Sequence, residues 1–437
     1  MHFYGKKDNY SVLLLASDGM LRTIEFASRC CYNANDKTTP DSYKKYIESR
    51  IKSGHESVIE HGMMSAIVDL SNMYATDAYA AESFIQSILT ASNSLLHYVS
   101  ETGWNYHNLS GTILCISGNM KMWRDFIKYI YYNKVLYPQG VVREEKIGVL
   151  SFLIYSIVYS DMAQFDGLFT SDIKGIGNVS SIFNKYTYNS LEDNTISFEY
   201  SGKTTKDFPL VDLTKCDTVY QSKASTKVDE YGLPADISEE PDVEYMKIIN
   251  MDNMFFHLIG NRFVPDYMSV FVGGHALDVN SVTMFIQMPR IVTQQESRHR
   301  INSISQRSQR YVDEGNASDT GFYVPDSIDP NKIYEFEING KDNFTLTYSE
   351  VNQLLLSFYN ALRKDGVNKE DARLILPGGI NSKMIVTKPF HTLPHYFKER
   401  CSEAAQKEIR LPAIGLKNYL NERFSYLSKN RNTKLFK

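Results

Sequence analysis

Arg298-His299-Arg300-Ile301-Asn302-Ser303-Ile304-Ser305-Gln306-Arg307-Ser308-Gln309-Arg310-Tyr311 gathers five cationic or potentially cationic side chains among hydroxyls and amides, with no acid before Asp313. Such groups repel one another unless an anion or a distant acid joins them, and the guanidinium fork matches phosphate oxygens with two parallel hydrogen bonds. Two readings of the charge pattern stand side by side. One is a cradle for phosphate or pyrophosphate; the other is a solvated basic loop paired with acids elsewhere in the chain.

The surrounding chain narrows what such a cradle would hold. Its 437 residues, 43% of them hydrophobic, fill one large core or two ordinary ones, and two domains are the starting expectation. A net charge of -4 gives no overall attraction to a nucleic-acid polymer, so phosphate binding falls to local clusters and a nucleotide fits better than a duplex. Cys30, Cys31, Cys115, Cys216 and Cys401 form no C-x-x-C pair and no Cys/His cluster. Neither a disulfide framework nor a metal site is expected, and a reducing cytoplasm suits them. The first residues lack the apolar core of a signal peptide, and Val149 to Ala163 is interrupted by Ser and Asp too early to span a bilayer. The expectation is a soluble, cytoplasmic protein without membrane contact. The 30 tyrosines fit ring stacking and an ordinary Tyr-rich core equally well.

Hydrophobic periodicity predicts a strand over Ser11 to Leu15 and helices over Met20 to Cys31 and Asp41 to Ser53. Apolar positions recur at helical spacing over residues 76 to 100. An apolar stretch from Thr112 to Ile116 leads into a helix start at Ser117 to Phe126, and a long helix is predicted over Glu144 to Asp161. From about Gly167 to Glu244 the composition turns to Ser, Thr, Asp and Lys, which places the domain junction there. Beyond Tyr245 a strand is predicted at Ser281 to Met288. Helices are predicted at Tyr348 to Asp365, Lys369 to Leu376, Phe390 to Arg410 and Ala413 to Leu427.

R-H-R, followed after seven residues by Ser and then by Arg-Tyr, resembles the signature of the flavin-dependent thymidylate synthases, with Ser308, Arg310 and Tyr311 in place. Ala372-Arg373-Leu374-Ile375-Leu376-Pro377, His395-Tyr396-Phe397-Lys398-Glu399-Arg400 and Ala405-Gln406-Lys407-Glu408-Ile409-Arg410 are similar to later motifs of that family, in the same order. The resemblance implies a nucleotide site made of Gln295, Gln306, Arg307, Ser308, Arg310, Arg373 and Arg400. It implies flavin contacts from Arg298, His299, Arg300 and His395.

The first half resembles the same family in other motifs. Ala27-Ser28-Arg29-Cys30-Cys31-Tyr32 and Gly54-His55-Glu56-Ser57-Val58-Ile59-Glu60-His61 look like its opening segments, and Gly118-Asn119-Met120-Lys121 like its later helix start. The resemblance assigns His55, Ser57, Glu60, Asn119 and Lys121 to flavin and folate, although a histidine at a turn is more commonly a buried structural group. No R-H-R follows in this half. In the second half, Gly273-Gly274-His275-Ala276-Leu277-Asp278 lacks the Glu and second His, and Pro389 and His391 stand where Asn and Arg are expected.

Complementary losses imply a fused, diverged pair of α+β family units, each an antiparallel sheet with long helices. They divide the chain into residues 1–170, a linker or extra β-rich segment at 171–244, and residues 245–437. A single unit with a long insertion after His61 is the simpler rival, but it leaves the Asn119 segment without explanation. Because the family's sites lie between subunits of a homotetramer, the resemblance implies a homodimer acting as a pseudo-tetramer, or a homotetramer.

The implied reaction is reductive methylation of dUMP to dTMP with FAD, methylenetetrahydrofolate and NADPH. The carbon C5 of a pyrimidine is a poor nucleophile until polarised, and no cysteine near the motifs has an evident activating base, so the flavin is implied to replace covalent activation. Arg310, Ser308, Arg400 and His55 are the implied catalytic set, with Ser308 a positioning hydroxyl because its cationic neighbours offer no general base. Two alternatives are carried. Ser305-Gln306 replaces the family's Asn-Glu, and an amide both donates and accepts, which makes a same-fold enzyme acting on dCMP, or adding a hydroxymethyl group, conceivable. The other is a non-catalytic nucleotide-binding homologue.

Overall fold

The computed structural model describes residues 2–7, 10–69, 97–100, 113–132, 149–160, 196–201, 205–222, 245–251, 280–315, 321–340, 342–425 and 436. They form two antiparallel sheets with helices packed between and behind them, a mixed helix and antiparallel-sheet fold. The first half supplies strands β1 (His2–Lys7) and β2 (Tyr10–Ala16), helices α1 (Met20–Cys30) and α2 (Ser42–Lys52), and strands β3 (Met63–Asp69), β4 (His97–Ser100) and β5 (Ile113–Asn119). Helices α3 (Met120–Tyr132) and α4 (Val149–Ser160) follow, then strand β6 (Ile196–Ser201). These strands lie in the order β4-β5-β3-β2-β1-β6.

The second sheet is built from β7 (Asp217–Gln221), β8 (Tyr245–Met251), β9 (Ser281–Pro289), β10 (Ser303–Gln306) and β13 (Asn381–Pro389), in the order β10-β13-β9-β8-β7. Helix α5 (Arg290–Glu296) links β9 to the arginine-rich segment. A separate hairpin, β11 (Ile333–Ile338) with β12 (Asp342–Thr347), precedes α6 (Tyr348–Lys364), α7 (Lys369–Ala372), α8 (Leu393–Arg400) and α9 (Lys407–Arg423).

Taken in chain order within each sheet, β1 to β5 and β7, β8, β9, β10 and β13 follow one spatial order, fourth-fifth-third-second-first. Pairings near the strand ends correspond as well, although β8 carries a bulge between Ile248 and Asn250 that β2 lacks. Met63 faces Asn119 as Ser281 faces Pro389, Met64 faces Ala16 as Val282 faces Met251, and His97 faces Ser117 as Ser303 faces Thr387. Segment 171–244 contributes an edge strand to each sheet, β6 beside β1 and β7 beside β8.

Strand β9 is buried at all nine positions, as a strand covered on both faces must be. One face carries Met284, Ile286 and Met288, which join Met384, Val386, Leu393, Phe397, Ile409, Leu416 and Phe424 in a core roofed by α8 and α9. The opposite face carries Phe285 and Ile385, which meet Phe26, Ala27 and Cys30 of α1, with the rings of Phe26 and Phe285 at 6.5 Å. Full burial of each aromatic side chain contributes about 1.5–3 kcal/mol. Helix α1, from the first half, thus belongs to the core of the second sheet, and all eleven of its residues are buried.

Several predicted boundaries need correction. One helix over Phe390 to Arg410 is instead a 3-10 turn (Phe390–Thr392) and α8, separated from α9 by residues 401–406, where Ser402 accepts from the amide of Ala404. A serine hydroxyl bonded to nearby backbone competes with helix continuation. Helix α9 starts six residues before the predicted Ala413 and contains Pro412, because burial of Ile409, Ala413, Leu416 and Leu420 outweighs the lost backbone donor. Lys369 to Leu376 is a short α-turn followed by a 3-10 turn (Arg373–Ile375). His97–Ser100 is strand, not the end of a helix. The rest of the helical pattern over 76 to 100 lies outside the described residues, as do Gly273 to Asp278.

Candidate functional site

The Gly54–His61 motif begins with a glycine at φ 81°, a left-handed conformation that leaves side-chain-bearing residues strained. That turn lets the His55 amide donate to the Arg50 carbonyl at 2.9 Å, capping the end of α2. A 3-10 helix (Glu56–His61) then brings His61 into the second half. Its Nδ1 lies 3.0 Å from Thr387 Oγ1 and its Nε2 2.9 Å from Ser305 Oγ, and burial pushes its pKa down to about 3. Ser303 Oγ donates to the Glu60 carbonyl at 2.8 Å, and the Ser308 amide donates to the Cys31 carbonyl at 3.0 Å. Both opening motifs of the first half are therefore fastened to the arginine-rich segment of the second. Gly62 is obligatory here, because a Cβ would stand 2.6 Å from Met20 Cγ and 2.7 Å from Met120 Cγ.

Around this junction the first-half candidates form one group. His55 and Ser57 are exposed, whereas Glu60 is half-buried. Burial raises the Glu60 carboxyl pKa, with Lys121 opposing the shift and Asp125 adding to it. Lys121 pairs with Asp125 at 2.7 Å, and Lys128 and Arg124 reach Glu56 at 2.9 and 3.4 Å. Asn119 is buried, and its Oδ1 accepts from the Met122 amide at 2.8 Å, so it caps α3.

The R-H-R residues form a second group. Arg298 and Arg300 are exposed, and neither is ion-paired with an acid among the described residues. Half-buried His299 accepts at Nε2 from Arg400 Nε at 2.9 Å, while Arg400 Nη2 donates to the Gln295 carbonyl at 2.9 Å. An arginine N–H only donates, so His299 is neutral there. Burial, with Lys388 and Arg400 nearby, lowers its pKa to about 4. The Gln295 amide donates to Gln406 at 2.6 Å, and the rings of His299 and exposed His395 lie 6.1 Å apart.

The third group is Ser308, Arg310 and Arg373. Arg310 and its partner Glu370 are each 52% exposed, with Nε and Oε1 2.8 Å apart, and Arg373 Nε donates to the Glu370 carbonyl at 3.1 Å. Ser308 Oγ accepts from the Arg310 amide at 3.3 Å. Arg307 is instead buried and bonded to Glu314 at 2.6 Å, and the Gln306 amide donates to Thr293 and Ser382 at 2.7 and 2.9 Å. Sequence reasoning missed Glu370, and it missed the buried pair Lys388–Glu296 at 2.5 Å with Tyr396 beside it, the Lys388 ammonium 4.3 Å from the ring centre. A lysine closing the apolar strand Met384 to Thr387 was the only signal.

Among the described residues no group of three or more His, Cys, Asp or Glu side chains is placed to hold a metal, and no helix is long and apolar enough to cross a membrane.

Residues 256–424 match the family model of the thymidylate synthase complementing protein, Thy1. The flavin-dependent thymidylate synthase of Pyrococcus furiosus is 40% identical over 124 residues, 28% of this chain and 46% of that protein. The one from Clostridium tetani is 32% identical over 178 residues, 39% of this chain and 66% of its own length. The chain thus spans about half to two thirds of these curated relatives. Among solved structures, the UMP/dUMP methylase PolB from Streptomyces cacaoi bound with 5-Br dUMP is 17% identical and covers 43% of this chain and 92% of its own, at a TM-score of 0.30. That score is too low for the two folds to be equated. Over residues 256–424 the chain is similar to the Thy1 family and to proteins named flavin-dependent thymidylate synthases.

Proposed function

We propose that this protein is a flavin-dependent thymidylate synthase that methylates dUMP to dTMP, with methylenetetrahydrofolate as carbon donor and NADPH as reductant. The observation that carries the reading is the pair of arginine groups raised on one segment, Arg298 to Tyr311, in a chain whose matching relatives bear that name. Arg310, Arg373 and Arg400 bind the phosphate and polarise the ring, Ser308 positions it, and Gln295 orients Arg400 through its carbonyl. Arg307 supports this segment from inside through Glu314.

Arg298 and Arg300, two exposed cations without acid partners among the described residues, fit the diphosphate of FAD. When bound, the flavin supplies the redox and one-carbon transfer chemistry. Burial raises the thiol pKa of Cys31 and of Cys401, which disfavours either thiolate as a nucleophile towards C6 and agrees with a flavin-based route. His55, Ser57, Glu60 and Lys121 form the facing surface for flavin and folate. The Nε2 of Gln306, the residue that made dCMP conceivable, donates to Thr293 and Ser382, which leaves its Oε1 as an acceptor open to either base, and the assay below separates dUMP from dCMP.

We read the chain as two fused family units meeting across the shared register. Pro389 takes the place of Asn119, and at the offset that R-H-R holds before β10, the residues before β4 are Ser92, Asn93 and Ser94. A homodimer then carries fewer working sites than four full units. The test is flavin absorbance together with tritium release from [5-³H]dUMP and [5-³H]dCMP in the presence of methylenetetrahydrofolate and NADPH. Yellow protein releasing tritium from dUMP alone supports the reading, and release from dCMP reassigns the substrate. A colourless protein that added FAD does not activate leaves only nucleotide binding.

A further inference from the structure

Outside the arginine groups already described, several guanidiniums pair with no acid among the described residues, and Arg50 among them lies over two tyrosine rings. Arg50, in the last turn of α2, makes no ion pair among the described residues. Its guanidinium carbon lies 5.6 Å from the ring centre of Tyr32 and 5.5 Å from that of Tyr46. Its terminal nitrogens make only long contacts, 3.4 Å to Tyr32 OH and 3.4 Å to Ser49 Oγ, and its Nε is buried without an acceptor. Arg29 on the neighbouring helix provides the contrast. It also lies over Tyr46, at 4.2 Å, but Glu25 neutralises it at 2.9 Å.

This charge sits between two candidate motifs. The Arg50 carbonyl holds the amide of His55, and Tyr32 follows Cys31, whose carbonyl holds the amide of Ser308. The ring of Tyr32 in turn meets that of Tyr311 at 5.1 Å and 44°, and the Tyr311 residue is 49% exposed. The Arg310 guanidinium lies 5.9 Å from the Tyr311 ring centre, and this half-exposed aromatic pair, beside a cation with no acid partner among the described residues, suits a flat ring that carries a single carboxylate. Guanidinium forks bind carboxylates in two-point fashion, and tyrosine faces stack on rings. A diphosphate needs several donors, which Arg298 and Arg300 supply and a single guanidinium does not.

We propose that Arg50, with the rings of Tyr32 and Tyr311, is the subsite for the aromatic, carboxylate-bearing tail of the one-carbon donor, the benzoylglutamate part of a reduced folate. The inference rests on the folate-dependent activity proposed above. It makes Arg50 a specificity determinant that takes no part in the chemistry.

The test compares methylenetetrahydrofolate with methylenetetrahydropteroate, which lacks the glutamate, in the full-length flavin-loaded protein. Wild type is expected to show a KM for the folate about tenfold or more below that for the pteroate form, the scale of one charge-assisted pair. Arg50→Met should erase that preference by raising the folate KM alone, with flavin content and the KM for dUMP unchanged. Arg50→Lys should restore part of it. An Arg50→Met protein that keeps the wild-type preference, or raises both KM values equally, overturns the subsite while leaving the activity intact. A wild type that turns over dUMP without preferring the glutamate form does the same. A wild type that turns over no pyrimidine nucleotide with either donor removes the activity itself, and the subsite with it.

Discussion

His61 should make the joint between the two halves acid-sensitive. Its two ring nitrogens are both bonded across the junction, to Thr387 and Ser305, and burial lowers its pKa to about 3 against an ordinary value of 6.5. In the unfolded chain the imidazole takes up a proton as the pH falls below about 6.5, whereas in the native protein it stays neutral until about 3. The stability held by the neutral ring is therefore complete above the unfolded pKa and is lost as the pH falls towards the folded one. Each pH unit in that window costs about 1.4 kcal/mol, so the fall from pH 7 to pH 4 removes about 3 kcal/mol through this group alone. His61→Gln keeps one donor and one acceptor without titrating. Urea unfolding of both proteins at pH 7, 5.5 and 4, followed by tryptophan fluorescence and circular dichroism, isolates the term, because other acid-labile groups contribute equally to both. The wild type should lose about 3 kcal/mol more than the variant over this range. Parallel losses would refute the assignment of a buried, neutral His61 at this joint.

Breaking the buried Lys388–Glu296 pair from one side should destabilise strongly. Lys388→Met alone leaves a buried carboxylate and is expected to cost about 3–5 kcal/mol, whereas Lys388→Met with Glu296→Gln should recover most of that in thermal unfolding. At the start of α6, Thr347 accepts from the Glu350 amide at 3.2 Å while the Glu350 side chain accepts from the Thr347 amide. Thr347→Ala removes this capping box and should cost about 1 kcal/mol, read as a shift in the urea midpoint with unchanged slope.

The sequence by itself determined what is local. Strands such as Tyr10–Ala16 and Ser281–Pro289 were legible as apolar runs, and helices α1, α2 and α6 from periodicity to within a residue or two. The kinds of residue in the R-H-R segment, and their spacing to Arg373 and Arg400, named the candidate site because motif order is written along the chain. Helix ends at Cys401–Gln406 were not legible, since competition between a serine hydroxyl and the backbone depends on neighbours.

Only tertiary structure decided which charges are available to a ligand. Arg307 and Arg310 are three residues apart in one motif, yet one faces buried Glu314 and the other faces solvent beside Glu370. Periodicity cannot show that, because an ion pair forms wherever the fold carries an acid into reach. The same holds for α1, which sequence assigns to the first half and packing gives to the core of the second sheet through Phe26 and Phe285. It holds also for His61, whose partners Ser305 and Thr387 lie more than two hundred residues away, and for Arg50, set over the rings of Tyr32 and Tyr46 with no acid partner among the described residues. Local pattern sets which surfaces are apolar or charged. Which surfaces meet is set by the burial of the whole chain at once, and that sum is not written in any one segment.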